Sequence, residues 1–340
     1  VSEAAFPLLG AAFVVLGVLP ICALLAGGAL WGLERAGVAS PLELLNLRYV
    51  VLVSASLLPL AWFLSAGLHQ LEAGHAAVEC LLDHEAATLC FEPVLFVATL
   101  ALALVLLSTR SLTAVRGVRA SDSERALTVQ RRVERIVTER SALRELTRRI
   151  AVTEAPAFAL GTQGLLRPRV LVGASYADQL DDETLASALG HEAEHTRALD
   201  PLRYFALSLA LAMNPLGRWL LEPHARRWFA AREACCDREA VLRGAEPLSL
   251  ANAIIRAARP VSADAVALGA RDTAVLKLRI DLLLAFSEQR PEPRHQRGPS
   301  AVSIAVVLLA LALILPHRTG TDALDALHVG VERAFTDGSP

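Results

Sequence analysis

Four stretches of this chain carry no charged side chain over the length of a membrane-crossing helix, and they constrain the fold more than any other feature. They lie between Glu3 and Glu34, between Arg48 and His69, between Glu92 and Arg110, and between Arg297 and His317. About 20 apolar residues in a helix cross a ~30 Å hydrocarbon core, where the backbone must bond within itself. The windows therefore predict four spans, at roughly residues 8–31, 49–68, 93–109 and 299–316. Composition agrees: 54% of the 340 residues are hydrophobic and 20% are charged. Buried core helices of a soluble protein are the bland alternative, but four such runs rarely coexist in one soluble chain.

Loop charges set the expected orientation. The segment from His69 to Glu92 holds five acids and neither Lys nor Arg, whereas the segment after the third window is rich in arginine, from Arg110 through Arg135. The positive-inside rule puts the N-terminus and the acidic loop outside and residues 110–297 in the cytoplasm. No basic n-region or cleavage site precedes the body of the chain, so the first span is expected to stay as an anchor. The net charge of −2 gives no hint of nucleic-acid binding. Cys80 and Cys90 share the exterior loop, where a disulfide can form, while Cys235 and Cys236 fall in the reducing cytoplasmic part. His75, Glu79, Asp83 and His84 in that loop read as solvated acidic loop rather than a metal-sensing patch.

Between Arg116 and Ile150, apolar Val129, Val133, Ile136, Val137, Leu143, Leu146 and Ile150 recur at helical spacing among arginines. This predicts an amphipathic helix whose arginine face is the solvated outside of a domain rather than a lipid-docking surface. Two apolar runs, 157–160 and 169–172, flank a glycine-containing turn and predict a small strand hairpin. A helix then starts at "LDDETLASALGHEAEHTRAL", with Asp181 or Asp182 as cap.

That helix carries the chemistry. Positions i and i+4 share one helix face, so His191 and His195 can aim both imidazoles at one ion. Glu192, beside the first histidine, is placed to take a proton from water as general base. Glu194 does not occupy that position and reads as solvent-facing or supporting. A catalytic zinc ion usually has three protein ligands. Downstream, "RRWFAAREACCDREAVLR" offers Glu233 as the third, and Asp237 one turn later can accept a ligand histidine's N–H. Cys235 and Cys236 are rival ligands, but a thiolate tends to close a site as a structural one.

"LDDETLASALGHEAEHTRALD" followed by an apolar stretch and "AREACCDREAV" resembles the bacterial membrane metallopeptidases typified by the beta-lactam-sensing antirepressor receptors. These are gluzincins, related more distantly to the heat-shock and CAAX prenyl-protein membrane peptidases. The resemblance runs from about Ala155 to Leu284 and includes "LKLRIDLLL" (Leu276 to Leu284). It implies zinc on His191, His195 and Glu233, Glu192 as catalytic base, and support from Asp237 and Asp200. It implies a mainly α membrane protein: about four transmembrane helices plus a cytoplasmic α+β gluzincin-like zinc peptidase domain with a small strand hairpin. The best-known members carry a penicillin-binding domain after the last span; this sequence shows none, so beta-lactam sensing is not implied.

The expected organisation is three spans with an acidic exterior loop over 1–109, a peptidase domain over 110–297, a last span over 298–316 and a short exterior tail over 317–340. The uncharged segment 204–221 lies between the two motifs. A single crossing there would put His191 and Glu233 on opposite membrane faces, so a re-entrant or membrane-apposed segment, or an apolar helix packed on the zinc domain, is expected instead. The implied setting is the bacterial cytoplasmic membrane, with the lipid bilayer, a protein or peptide substrate (a transcriptional repressor or a membrane protein) and a separate sensor protein as partners, and no nucleic acid. The rival from another class is a non-proteolytic metal-binding signalling or scaffold protein. An intramembrane site-2-type protease fits less well, because Asn214-Pro215 is not followed by Leu-Asp-Gly and the His191 helix is too polar to cross lipid.

Overall fold

A computed structural model describes residues 11–36, 44–72, 97–106, 118–155, 158–258 and 273–289, with side chains of the second segment described to residue 64. The protein is mainly helical with one small mixed sheet. Its described residues fall into two compact units, one drawn from 1–113 and 206–227, the other from 114–205 and 228–297. The exterior loop with Cys80 and Cys90, the fourth window and the tail lie outside the described residues.

The first unit holds α1 (Phe13–Ala36) and α2 (Leu45–Glu72). Two helices here, Phe13–Ala36 and Leu45–Leu64, are long and apolar enough to cross a membrane. The third window contributes the shorter apolar helix α3 (Val97–Leu106). Val14, Leu19, Leu60, Phe63 and Leu100 pack as one core, while Leu16 and Leu25 on α1 stand 69% exposed. A long helix with an apolar outward face suits lipid better than water.

Residues 206–227 belong to this same unit. The apolar stretch between the motifs is a helix, a turn at Asn214, and a π-helical turn, Gly217–Leu221. Asn214 donates from Nδ2 to the Leu19 carbonyl (2.8 Å), and Met213 packs on the apolar core of α1 to α3. Glu34 at the end of α1 gathers Arg48 (2.9 Å), His224 (3.3 Å) and Arg227.

The second unit begins with α4 (Glu124–Glu139), capped by Ser123, whose Oγ accepts from the Ala126 N–H at 3.1 Å. Val129, Val133, Ile136 and Val137 are buried at the expected helical spacing. The helix is shorter than the periodicity predicted. Arg140 turns extended, a 3-10 helix spans Ser141–Leu146, and Ile150 opens strand β1 (Ile150–Thr153). Leu143 and Leu146 still reach the core, which is why their spacing read as helix. The arginines on the outer face of α4 and just beyond pair with acids before and at the start of the motif helix: Arg125 with Asp178, Arg132 and Arg135 with Asp182, Arg140 with Glu183.

The predicted hairpin is present as β2 (Leu160–Gln163), three residues later than its apolar run, antiparallel to β3 (Arg169–Gly173), which starts where its run does. It is part of a larger sheet: β1 pairs parallel with β3, giving the order β1-β3-β2. The turn needs Gly164 at φ 95°, and Gly173 admits no side chain, because a Cβ there would lie 1.9 Å from the Phe158 carbonyl oxygen. The motif helix α5 (Asp182–Arg197) packs on this sheet and is buried from Thr184 to Leu189 and again from His191 to Thr196. It is followed by α6 (Asp200–Met213), α7 (Glu222–Leu242), α8 (Pro247–Ala258) and α9 (Thr273–Glu288).

Candidate metal centre

Asp181 caps α5, its carboxylate accepting from the Thr184 N–H at 2.7 Å. Two turns on, the helix puts His191 and His195 on one face with their Nε2 atoms 3.0 Å apart. Glu233, from α7, closes the group: Oε2 is 3.4 Å from His191 Nε2 and Oε1 is 3.4 Å from His195 Nε2. These three residues offer ligand atoms within 4.8 Å of one another and can hold a metal ion.

Carboxylates behind the histidines set their tautomers. His195 Nδ1 is 2.7 Å from Asp200 Oδ2, and His191 Nδ1 is 2.8 Å from Asp237 Oδ1, the latter off the N–H axis. A carboxylate only accepts, so each Nδ1 carries the hydrogen and each Nε2 presents a lone pair. The Arg279 guanidinium reaches the edge of this group, Nη2 3.4 Å from His191 Nε2, but two lone pairs facing at 3.0 Å beside an anionic oxygen still favour a positive charge between them. In the metal-free protein a proton can serve. Burial alone would disfavour a charged imidazole at His191, but Asp237 and Glu233 outweigh it and lift its pKa to about 10. A metal cation answers the same need, so the donor set fits one.

Asp200 reaches His195 through an unusual join. Leu199, between α5 and α6, adopts φ 54°, the left-handed conformation that glycine normally supplies after a helix. Arg232 holds Asp200 from the other side, Nε to Oδ2 at 2.6 Å. Burial raises an Asp200 carboxyl's pKa, but His195 and Arg232 bring it below the usual value. Glu233 and Asp237 are likewise held low against burial, Glu233 chiefly by His195 and Asp237 chiefly by Arg279.

Glu192 is buried, and the Thr162 hydroxyl on β2 donates to its Oε2 at 2.7 Å. Glu194 is not solvent-facing as one reading had it: it is buried against Arg197 and Arg243 (3.0 Å). Its backbone turns it away from the histidine face, where the two arginines neutralise it. Cys236, with His195 and Asp200, forms a second group of potential ligands. Its Sγ lies 3.5 Å from His195 Nδ1, on the ring side opposite Glu233. Burial pushes its thiol pKa up, and Arg232 already supplies the cation at Asp200, so the first group is the better metal site. Cys235 lies 3.6 Å from Arg232 Nη1.

Sequence reasoning missed three residues here. Thr162 gave no signal beyond its place in a strand. Tyr204, hydroxyl 3.4 Å from Glu233 Oε1, sat inside the apolar stretch and packs among His195, Trp228 and Phe229. Arg279 of α9 bonds Asp237 and Glu233 and was visible only as a lone arginine within "LKLRIDLLL". No protein-family model, curated protein or solved structure matches the chain.

Proposed function

We propose that this chain is a membrane-anchored zinc endopeptidase of the gluzincin kind, cleaving a protein substrate at the cytoplasmic face of a bacterial membrane. The observation that carries the reading is the placement of Glu192. It adjoins a histidine of the buried His191, His195 and Glu233 group, and an edge-strand hydroxyl fixes its carboxyl. A scaffold that merely binds metal has no use for an acid–base group held in that position. When bound, zinc would supply Lewis acidity, polarising a scissile carbonyl and lowering the pKa of water.

The chain's own residues do the rest. Glu192 takes a proton from the attacking water and passes it to the leaving amine. Thr162 keeps one carboxyl oxygen of Glu192 engaged and so fixes the direction of the other. Asp200 and Asp237 hold the imidazoles so that both Nε2 atoms face Glu233. Burial raises the pKa of Tyr204 well above its usual value, keeping its hydroxyl a donor toward Glu233. Among the described residues no strand pairs with the outer edge of β2, so an extended substrate can add there, beside Glu192. The arginine-rich segment after the third window supports a cytoplasmic site, and the resemblance points to a repressor or another membrane protein as substrate in regulated proteolysis.

Glu192→Gln tests the reading. It keeps the shape and the metal ligands but cannot take a proton. Cleavage should fall by about 10²–10⁴ with zinc content, measured by elemental analysis, unchanged. Turnover retained at the wild-type rate would refute it.

A further inference from the structure

The least expected group at this site is a cation. Arg279 enters from α9, 46 positions after Glu233 in sequence, and its guanidinium is shared among three site residues. Nε and Nη2 form a two-pronged bond to the Asp237 carboxylate, 2.7 Å each. Nη1 donates to Glu233 Oε2 at 2.8 Å, and Nη2 lies 3.4 Å from His191 Nε2. Each Glu233 oxygen faces one histidine at 3.4 Å, Oε2 toward His191 and Oε1 toward His195, but their other partners differ. Oε2 is bound to an arginine at full hydrogen-bond strength, whereas among the described residues Oε1 has the Tyr204 hydroxyl at 3.4 Å.

We propose that Arg279 is a positioning residue of the metal centre: by holding Oε2, it makes Glu233 a one-oxygen ligand. The consequence is chemical. A carboxylate that grips a metal through both oxygens fills two coordination positions, whereas a hydrolytic site needs positions left for water and for the substrate carbonyl. The fork of the guanidinium suits this task, because it can anchor on Asp237 with one edge and still present Nη1 to Glu233. Lysine, with one ammonium on a flexible stem, cannot make both contacts in that fixed geometry. The inference rests on the metal reading of the His191, His195 and Glu233 group.

Metal affinity is a poor test, since removing the guanidinium lifts its repulsion of a cation and also strands two carboxylates. Coordination number is the better readout. Full-length protein in detergent is stripped, loaded with cobalt(II) and compared with Arg279→Met by visible absorption per bound ion, which weakens as coordination number rises. The expected result is a drop by half or more in Arg279→Met, as Glu233 closes on the ion with both oxygens. Equal absorption per bound cobalt in the two proteins overturns the proposal, and a purely structural role for Arg279 predicts that equality. If wild-type protein takes up no cobalt or zinc, the metal reading itself fails, which is a separate result. Should Arg279→Met not fold, Asp237→Asn/Arg279→Met restores the charge balance. It is judged against Asp237→Asn alone, where the same drop supports the proposal and equality overturns it.

Discussion

Each proposed acid–base or ligand group at the candidate centre is aimed by a second residue. Asp200 and Asp237 aim the histidines, and Thr162 aims Glu192. Thr162→Val keeps the size and β-branching of the side chain and removes only the hydroxyl. A hydrogen bond to a charged group is worth about 1.5–3 kcal/mol, so kcat/KM of the proposed peptidase reaction should fall at least about tenfold. Zinc content should stay at the wild-type level, and Thr162→Ser should regain most of the rate. Unchanged kcat/KM in Thr162→Val would show that the hydroxyl does not set the base. The residues the sequence made legible are those whose partners lie within one helix. His191 pairs with His195, and Glu233 with Asp237, at a spacing that a helix turns into a shared face. Asp200 was reached through the resemblance, and the structure sets it against His195 by a left-handed Leu199 that no pattern announced. Thr162, Tyr204 and Arg279 come from other elements, and only tertiary packing brings them to the site.

At the scale of elements, α5 buries polar and apolar faces alike. Its amphipathic signal is correspondingly weak, and its start was legible instead from the acids at 181–183. Asp181 is the N-cap, and hydrogen bonds from the Thr184 N–H and hydroxyl lower its carboxyl pKa. Replacing an N-cap by Ala costs about 1 kcal/mol. The sign of its pH dependence follows. A carboxylate with a lowered folded-state pKa stabilises at pH above the unfolded value near 3.9. That stabilisation is lost as pH falls through the folded value, below the usual aspartate range. Asp181→Asn keeps the cap but cannot titrate. Denaturant melts from pH 6 down to 2 should therefore show the wild type losing stability relative to Asp181→Asn only at the acid end. Parallel curves throughout would exclude a titrating cap. The sheet was less legible than the helix. The hairpin runs were readable, but β1 hides behind Leu143 and Leu146, whose burial imitates a continuing helix. The glycine at 173 is what lets β3 approach the Phe158 carbonyl, a constraint no spacing rule conveys.

For the molecule as a whole, the candidate metal ligands are split by an intervening segment. His191 and His195 precede residues 206–227, Glu233 follows them, and that segment belongs to the other compact unit. The sequence showed this segment only as an uncharged stretch, read as part of residues 110–297, and gave no sign of its packing against α1 and α3. A metal held by both sides closes the site unit across the intervening segment, so its binding free energy appears as folding free energy. With free zinc at a thousand times its dissociation constant, the gain is about 4 kcal/mol. For a unit of this size that raises the melting temperature by about 8–16 °C. Calorimetry in detergent should therefore show one transition that falls on chelation and recovers when zinc is restored. The control is Glu233→Ala, whose melting should respond to neither chelator nor zinc over the same range. A wild-type transition insensitive to chelation would sink the metal reading. A full zinc response in Glu233→Ala would remove that residue from the ligand set while leaving the histidine pair in place. The division of the chain makes a single two-state melt a poor description, so the test is read on the zinc-dependent transition alone.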